Sequence, residues 1–397
     1  MTSLDEARRR DAADPLRAMR GEFDTPEGVI YLDGNSLGPP PRRALKRIER
    51  TAQEEWRKGL IRSWNDAGWI DLPKKAGAKI ARLIGAEADE VIVCDSVSAN
   101  IFKLASALLA RKSGAALCVD ETEFPTDQYV LEGLSRLTGA TLRRLDDGGV
   151  PSNAVLVRSL VHYKTAEILD MAATEREARE KDCDIIWDLS HATGLVSIDV
   201  KRDSARFAVG CGYKFLNGGP GAPAFVYVAR NQAEALAQPI SGWMGHAAPF
   251  DFSARYAPVA GAARFAAGTP PILSLSALDA ALDLFDGLDI SALEEKSRAL
   301  GDFFLDCAKG PPLTPLPAPR RRGGHVCFSS KNGYAIMQAL IARGVIGDFR
   351  APDLMRFGFS PLFNSYEDAF RAAETLRRIL ADGEWRAPQF AERRKVT

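Results

Sequence analysis

Between Val91 and Tyr227 the chain repeats one pattern, a short unbroken apolar run followed by a longer stretch with helical spacing. The runs are Val91-Ile92-Val93, Ala116-Leu117-Cys118-Val119, Ala154-Val155-Leu156-Val157, Ile185-Ile186-Trp187, Phe207-Ala208-Val209 and Ala224-Phe225-Val226-Tyr227. A strand with one wet face alternates apolar and polar residues, whereas a strand without alternation is buried on both faces and needs helices to cover it. The pattern predicts an α/β fold with a mainly parallel central sheet and helices on both faces. In such sheets ligands bind beyond the carboxyl ends of the strands, so the polar residues after each run are the first place to look for chemistry.

The flanking tracts suggest how the rest is organised. Apolar positions recur at helical spacing from Arg42 to Gly59, after a Gly38-Pro39-Pro40-Pro41 stretch that cannot begin inside a helix. A second helical pattern runs from Leu273 to about Phe304 and leads to a proline-rich joint, Pro311 to Pro317. The basic cluster Arg320-Arg321-Arg322 reads as a solvated loop. We expect an N-terminal segment (1–60) packing on a small domain, a large domain (61–290) and a smaller α+β C-terminal domain (291–397).

With 397 residues, 46% of them hydrophobic, the chain can bury a core of that size. Fifty-two basic residues balance fifty-two acidic ones, which gives no overall field toward nucleic acid or a membrane and points to a small-molecule partner. Six cysteines lack a C-x-x-C pair and read as reduced core thiols, which suits the cytoplasm better than a disulfide framework. The four histidines have no metal-ligand spacing, so no metal is expected. Met1 to Phe23 is charged throughout, and no later stretch reaches membrane-spanning length.

The sharpest local signal is Lys214, set among glycines 210, 212, 218, 219 and 221 and lying 26 residues after Asp188. That pairing fits a pyridoxal phosphate site. A lysine amine can form a Schiff base with the cofactor aldehyde, and a carboxylate on the pyridine nitrogen keeps the ring protonated. The glycines are read as room for a flat ring and a close backbone. Asp188 follows a buried-looking strand and needs a partner there, unless it only caps a helix. His191 could lie beside the ring, hydrogen-bond Asp188, or be a satisfied core histidine. Around Val91 to Leu109, strand, turn and helix carry Asp95, Ser96, Ser98 and Asn100 at the turn, and a helix N-terminus offers N–H groups to a phosphate. Ordinary caps use the same residues. Phe124-Pro125-Thr126-Asp127 offers a ring to stack and a carboxylate for a polar edge, or is simply a turn.

Taken together and in this order, the segments resemble the kynureninase family of fold-type-I (aspartate-aminotransferase-like) pyridoxal phosphate enzymes. The resemblance is nearly end to end. It begins at Tyr31-Leu32-Asp33-Gly34-Asn35-Ser36-Leu37-Gly38 and passes through Phe124 to Tyr129, Trp187 to Gly194 and Gly212 to Gly221. It continues with Ser241-Gly242-Trp243-Met244-Gly245-His246 and Gly268-Thr269-Pro270-Pro271-Ile272. The lysine and aspartate are shared across the superfamily, while the first and fifth of these segments are much narrower signatures.

The resemblance implies hydrolysis of L-kynurenine to anthranilate and L-alanine by Cβ–Cγ cleavage in tryptophan catabolism, with 3-hydroxykynurenine as a competing substrate. It carries pyridoxal 5'-phosphate contacts onto Val97, Ser98, Phe124, Asp127, Thr165, Asp188, His191, Tyr213 and Lys214. Trp243 and Thr269 would come from the partner subunit of a homodimer with shared active sites. Lys214, Tyr213 and Asp188 would be catalytic, with Tyr213 protonating Cβ. Arg356 would clamp the substrate carboxylate, which suits its planar fork. Trp64 would flank the substrate ring, where animal members have a histidine, and this favours kynurenine. Position 269 is Thr where some relatives carry Asn. The alternative within the superfamily is cysteine desulfuration, which needs a mobile cysteine and usually a histidine before the lysine. Here Tyr213 takes that place, and Cys327 lies in an apolar, strand-like run. A cofactor sensor fused to a DNA-binding module would need a basic helix-turn-helix pattern, and neither end of the chain has one.

Overall fold

The computed structural model describes residues 3–309, 313–317, 319 and 321–393. Pro311, Pro312 and Arg320, which belong to the expected joint and basic cluster, lie outside the described residues. The chain divides into two compact units, one of residues 43–163 and 169–286, the other of residues 1–42, 164–168 and 287–397. The first boundary therefore falls at Arg42/Arg43 and not at residue 60.

The larger unit is built on a seven-stranded sheet. Its strands are β1 (Val91–Val93), β2 (Ala116–Asp120), β3 (Leu142–Leu145), β4 (Ala154–Ser159), β5 (Cys183–Asp188), β6 (Phe207–Gly210) and β7 (Phe225–Val228). Their order across the sheet is β1-β7-β6-β5-β4-β2-β3. All six apolar runs became strands, and every residue of β4 to β7 is buried. Pairing is parallel from β6 to β3, but β7 runs antiparallel to both β6 and β1. The strand missed in the sequence is β3, an edge strand whose central Arg143 and Arg144 are exposed and break the apolar run.

Helices pack on the sheet. On α1 (Leu72–Ile84), Gly77 lies so close to β1 that a Cβ there would be 2.4 Å from the Val91 carbonyl oxygen. Helix α2 (Val97–Arg111) buries Ile101, Leu104 and Leu108 in one cluster with Val155, Val157, Ile186, Val209 and Val226. Helices α3 (Pro125–Thr138) and α4 (Met171–Glu180) follow β2 and precede β5, and Glu175 of α4 accepts from the buried Trp187 indole at 2.9 Å. The expected helix after Arg42 is α-helical only to Arg50 and continues as a π-helix over Thr51–Gly59. The segment from Leu273 is not one helix. α5 (Ile272–Leu282) and α6 (Ile290–Ala308) are separated by Gly287, at φ +74°, and by Asp289, which caps α6.

In the other unit an antiparallel sheet has the order β10-β11-β9-β8. These are β8 (Thr314–Pro315), β9 (His325–Ser329), β10 (Asp348–Arg350) and β11 (Leu354–Gly358). Ile30–Tyr31 pairs in parallel with Val345–Ile346. Phe304 of α6 packs on Phe357 and Phe359 at ring-centroid distances of 4.9 and 5.3 Å, in a core shared with helix Leu4–Ala13 and α8 (Tyr366–Asp382). The α7 helix (Gly333–Ala342) contributes Ile336 and Leu340 to the same core. Among the described residues, no helix is long and apolar enough to cross a membrane.

Candidate active site

Polar residues of the larger unit gather where β2, β4, β5 and β6 end, as a parallel sheet requires. Asp188 closes β5, is 7% exposed, and its Oδ1 accepts from the Ser190 N–H at 2.8 Å. Burial pushes its carboxyl above the ordinary value, and the neighbouring Lys214 pulls it back down. Lys214 is half-buried in the loop after β6. Its Nζ stands 2.8 Å from His191 Nε2, 5.9 Å from the Phe124 ring centroid and 6.0 Å from that of Tyr213. His191 thus meets the lysine, a pairing that none of its three sequence-based readings had suggested.

The glycines do something other than leave room for a ring. A Cβ on Gly210 would meet the Phe225 ring at 2.5 Å, one on Gly212 the Pro223 carbonyl at 2.6 Å, and one on Gly218 the Gly212 carbonyl at 2.7 Å. Protein fills those spaces, and the glycines let the lysine loop fold tightly on itself. Gly219 and Gly221 are needed for their backbone, at φ +86° and +73°.

Phe124 precedes α3, with Pro125 as the first helical residue. Its ring is 38% exposed and edge-on to Tyr163 at 5.3 Å. Asp127, one turn on, is 1% exposed, and its Oδ2 has no hydrogen-bond partner among the described residues. Burial, together with repulsion from Asp188 and Glu123, drives its carboxyl well above the ordinary range. Glu123, absent from the sequence-based candidates, anchors this corner. Only 3% exposed, it accepts from Phe124 N (2.9 Å), Ser159 N (2.7 Å) and Ser159 Oγ (2.6 Å). Ser159 pairs in register with Asp188, so Glu123 joins the Phe124 turn to the strand beside the aspartate.

Tyr213 is half-buried, and burial raises its hydroxyl pKa, as does the adjacent Cys211. Val97 and Ser98 are the first two residues of α2, behind Ser96, whose hydroxyl accepts from Ala99 N at 3.3 Å. Trp64 is half-buried and edge-on to Trp69 at 6.0 Å. The Trp69 indole donates to Glu55 at 2.8 Å, and Glu55 also accepts from Arg47 at 2.5 Å, so one buried carboxylate of the π-helix steadies the tryptophan pair. Trp243 is 37% exposed and packs edge-on to Phe250, while Thr269 is exposed.

Two expected site residues belong to the other unit. Thr165 lies in the short segment 164–168, where its hydroxyl accepts from Glu167 N at 3.3 Å. Arg356, on β11, is held side-on by Asp348, with Nε at 2.7 Å from Oδ1 and Nη2 on Oδ2; Nη2 also reaches Ser36 Oγ at 3.2 Å. Both charged side chains are almost fully buried. The Leu32 to Ser36 motif packs here. Asp33 bridges to Gly358, whose missing Cβ would lie 1.9 Å from Asn35 Oδ1, and Ser36 donates to Asp348 at 2.7 Å. Burial, then repulsion from Asp348, raises the Asp33 carboxyl to about 7.

Solved structures with the same fold include a mutant of C-DES with glycine covalently linked to its PLP cofactor, at TM-score 0.80 and 16% identity, covering 90% of this chain and 98% of that one. A cysteine desulfurase from Escherichia coli matches at TM-score 0.77 and 18% identity, covering 92% and 98%. These likenesses speak to the fold. Residues 293–376 match the model of the kynureninase C-terminal domain. Proteins named kynureninase from Burkholderia mallei (strain SAVP1) and Pseudomonas fluorescens are each 44% identical over 418 residues, spanning 100% of both chains. With that identity over its whole length, the chain belongs to the kynureninase family.

Proposed function

We propose that the protein hydrolyses L-kynurenine to anthranilate and L-alanine, using pyridoxal 5'-phosphate held by Lys214. The observation that carries this reading is the convergence of Lys214, Asp188 and a buried Asp127 acceptor with no partner among the described residues. A buried unsatisfied carboxylate oxygen is costly in isolation, and a ligand bearing a donor on its polar edge would relieve it. The Phe124 face beside the lysine suits a flat ring, so the residues present fit the cofactor.

Asp188 would hold the proton on the ring nitrogen, and Val97 and Ser98 would offer the first N–H groups of α2 to the phosphate. When bound, the cofactor supplies an electron sink for negative charge developing on the substrate's Cα and, after proton transfer, Cβ. Lys214 Nζ takes the Cα proton, and His191 at 2.8 Å orients that amine. Water adds to the side-chain carbonyl, and its oxygen leaves with anthranilate. Tyr213 then gives its Oη proton to Cβ and regains one that the added water has released, and Lys214 returns the proton to Cα to complete alanine; the raised pKa of Tyr213 keeps its hydroxyl protonated at neutral pH. For the substrate carboxylate we retain Arg356, already oriented by Asp348.

Cysteine desulfuration fits less well because all six thiols are buried, and Cys327 Sγ lies 2.7 Å from the Lys164 carbonyl oxygen. Free buried thiols also suit a reducing cytoplasm. We further propose a homodimer in which Trp243 and Thr269 serve the partner's site. Trp243, Phe250 and Phe252 stack edge-to-face at 5.7 and 6.5 Å, and Phe252 is 82% exposed, an aromatic surface suited to burial against a second copy.

The deciding experiment mixes protein, pyridoxal phosphate and L-kynurenine, follows anthranilate fluorescence and assays alanine in the same tube. Equal yields of both products support the reading, and Lys214→Ala should abolish them. Bound cofactor with neither product would reject kynurenine as the substrate.

A further inference from the structure

We infer that Lys103 is a positioning residue for the phosphate end of the cofactor site, acting through Asp95 and the Phe265 carbonyl; this rests on the pyridoxal phosphate reading above. Lys103 lies on α2 and is almost fully buried. A lysine is almost never buried without partners that hold its charge. Its Nζ donates to Asp95 Oδ2 at 2.6 Å and to the Phe265 carbonyl at 2.5 Å, and lies 3.6 Å from Cys94 Sγ.

Those partners lie on two separate pieces of chain. Asp95 is in the turn that leads into Val97 and Ser98, and Phe265 ends the 3-10 helix Gly261–Phe265, four residues before Thr269. One buried ammonium therefore ties the turn that leads into Val97 and Ser98, the residues offered to the phosphate, to the segment that leads to Thr269, which serves the partner's site.

The turn needs such a tie. Asp95 has φ +49°, a left-handed conformation disfavoured for a residue with a side chain. Its backbone carbonyl is held by Ala224 N at 2.9 Å, while Asn100 Nδ2 donates to the Cys94 carbonyl at 2.8 Å. With Lys103 removed, the carboxylate loses its buried counter-charge, and the turn can relax to a commoner conformation. The first N–H groups of α2 would then no longer be aimed as before.

A phosphate-positioning role can be separated from general stabilisation by comparing pyridoxal phosphate with pyridoxal, which lacks the phosphate. Cofactor-free protein is titrated with each compound, and binding is followed by absorbance and equilibrium dialysis. Wild-type protein should prefer pyridoxal phosphate. Lys103→Met should weaken pyridoxal phosphate binding by about tenfold or more while changing pyridoxal affinity far less. Asp95→Ala removes the same bond from its partly exposed end and should shift the ratio in the same direction, so the test survives if Lys103→Met fails to fold. A wild-type preference left unchanged in the folded variants would overturn the inference alone. If wild-type protein showed no preference, the inference would fall together with the phosphate reading beneath it.

Discussion

Replacing Asp127 with Asn should stabilise the cofactor-free protein while weakening cofactor binding. Asp127 is 1% exposed, its Oδ2 has no partner among the described residues, and Asp188 and Glu123 repel it, with Lys214 the attractive neighbour. Ionising a carboxyl whose pKa burial and like charges have raised costs about 1.4 kcal/mol for each unit of that rise, and asparagine keeps the shape while removing the charge. Because the folded carboxyl is raised above its unfolded value, the folded state holds a proton that the unfolded chain has already lost. Stability should therefore fall as pH rises from about 4, the unfolded carboxyl's value, and level off above the raised one. Asp127→Asn removes that dependence. It should differ little from wild type at acid pH and gain about 1–3 kcal/mol by pH ~8, a rise of about 2–4 °C in Tm per kcal/mol. Denaturant unfolding of cofactor-free protein across this pH range measures the gain. Cofactor titration of the same samples should show weaker binding, because the charged acceptor at the ring's edge is replaced by a neutral amide oxygen. A variant no more stable than wild type at the alkaline end, or a difference that does not change with pH, would refute the reasoning.

Three further outcomes follow from particular contacts. Gly77→Ala should destabilise by about 1–3 kcal/mol in equilibrium unfolding, since overpacking against the Val91 carbonyl at 2.4 Å outweighs alanine's helix-propensity advantage of about 1 kcal/mol; a stabilised variant would contradict this. Asp348→Ala leaves the buried Arg356 charge without its carboxylate and should cost about 3–5 kcal/mol in denaturant unfolding, and a loss below about 1 kcal/mol would show that the pair is unimportant. Glu55→Ala strands the buried Trp69 indole N–H, at about 1–3 kcal/mol, and should raise KM for kynurenine by loosening Trp64, whereas Glu55→Gln, which keeps an acceptor, should stay nearer wild type. Equal KM values across the three proteins would separate Trp64 from this support.

The candidate site was legible in the sequence wherever its residues are close together along the chain. Asp188 and His191, Tyr213 and Lys214, and Phe124 and Asp127 sit within short motifs at strand ends, and the parallel sheet brings those ends to one edge. Residues that act through distant partners left no such trace. Glu123 meets Ser159, 36 positions away, and Lys103 meets the Phe265 carbonyl, 162 positions away. Spacing rules reach only along one helix or strand, so neither contact could be read from local pattern. The glycines around Lys214 were read as room for a ring and for a close backbone, and only the close backbone is seen at Gly212 and Gly218, because composition does not say which neighbour a missing Cβ makes room for.

By itself the sequence determined six buried strands of the larger unit, because an unbroken apolar run can satisfy its side chains only between two covered faces. It also determined where chemistry could gather, at the carboxyl ends of those runs. The antiparallel course of β7, the edge strand β3, the π-helical turn that carries Glu55 and the break between α5 and α6 were decided by packing. Each of these depends on what lies across the fold and not on what comes next in the chain. The same holds for the charges. Whether Asp127 is an ordinary helix residue or a buried acceptor beside two like charges is a question of neighbours, and the tertiary structure alone supplies them.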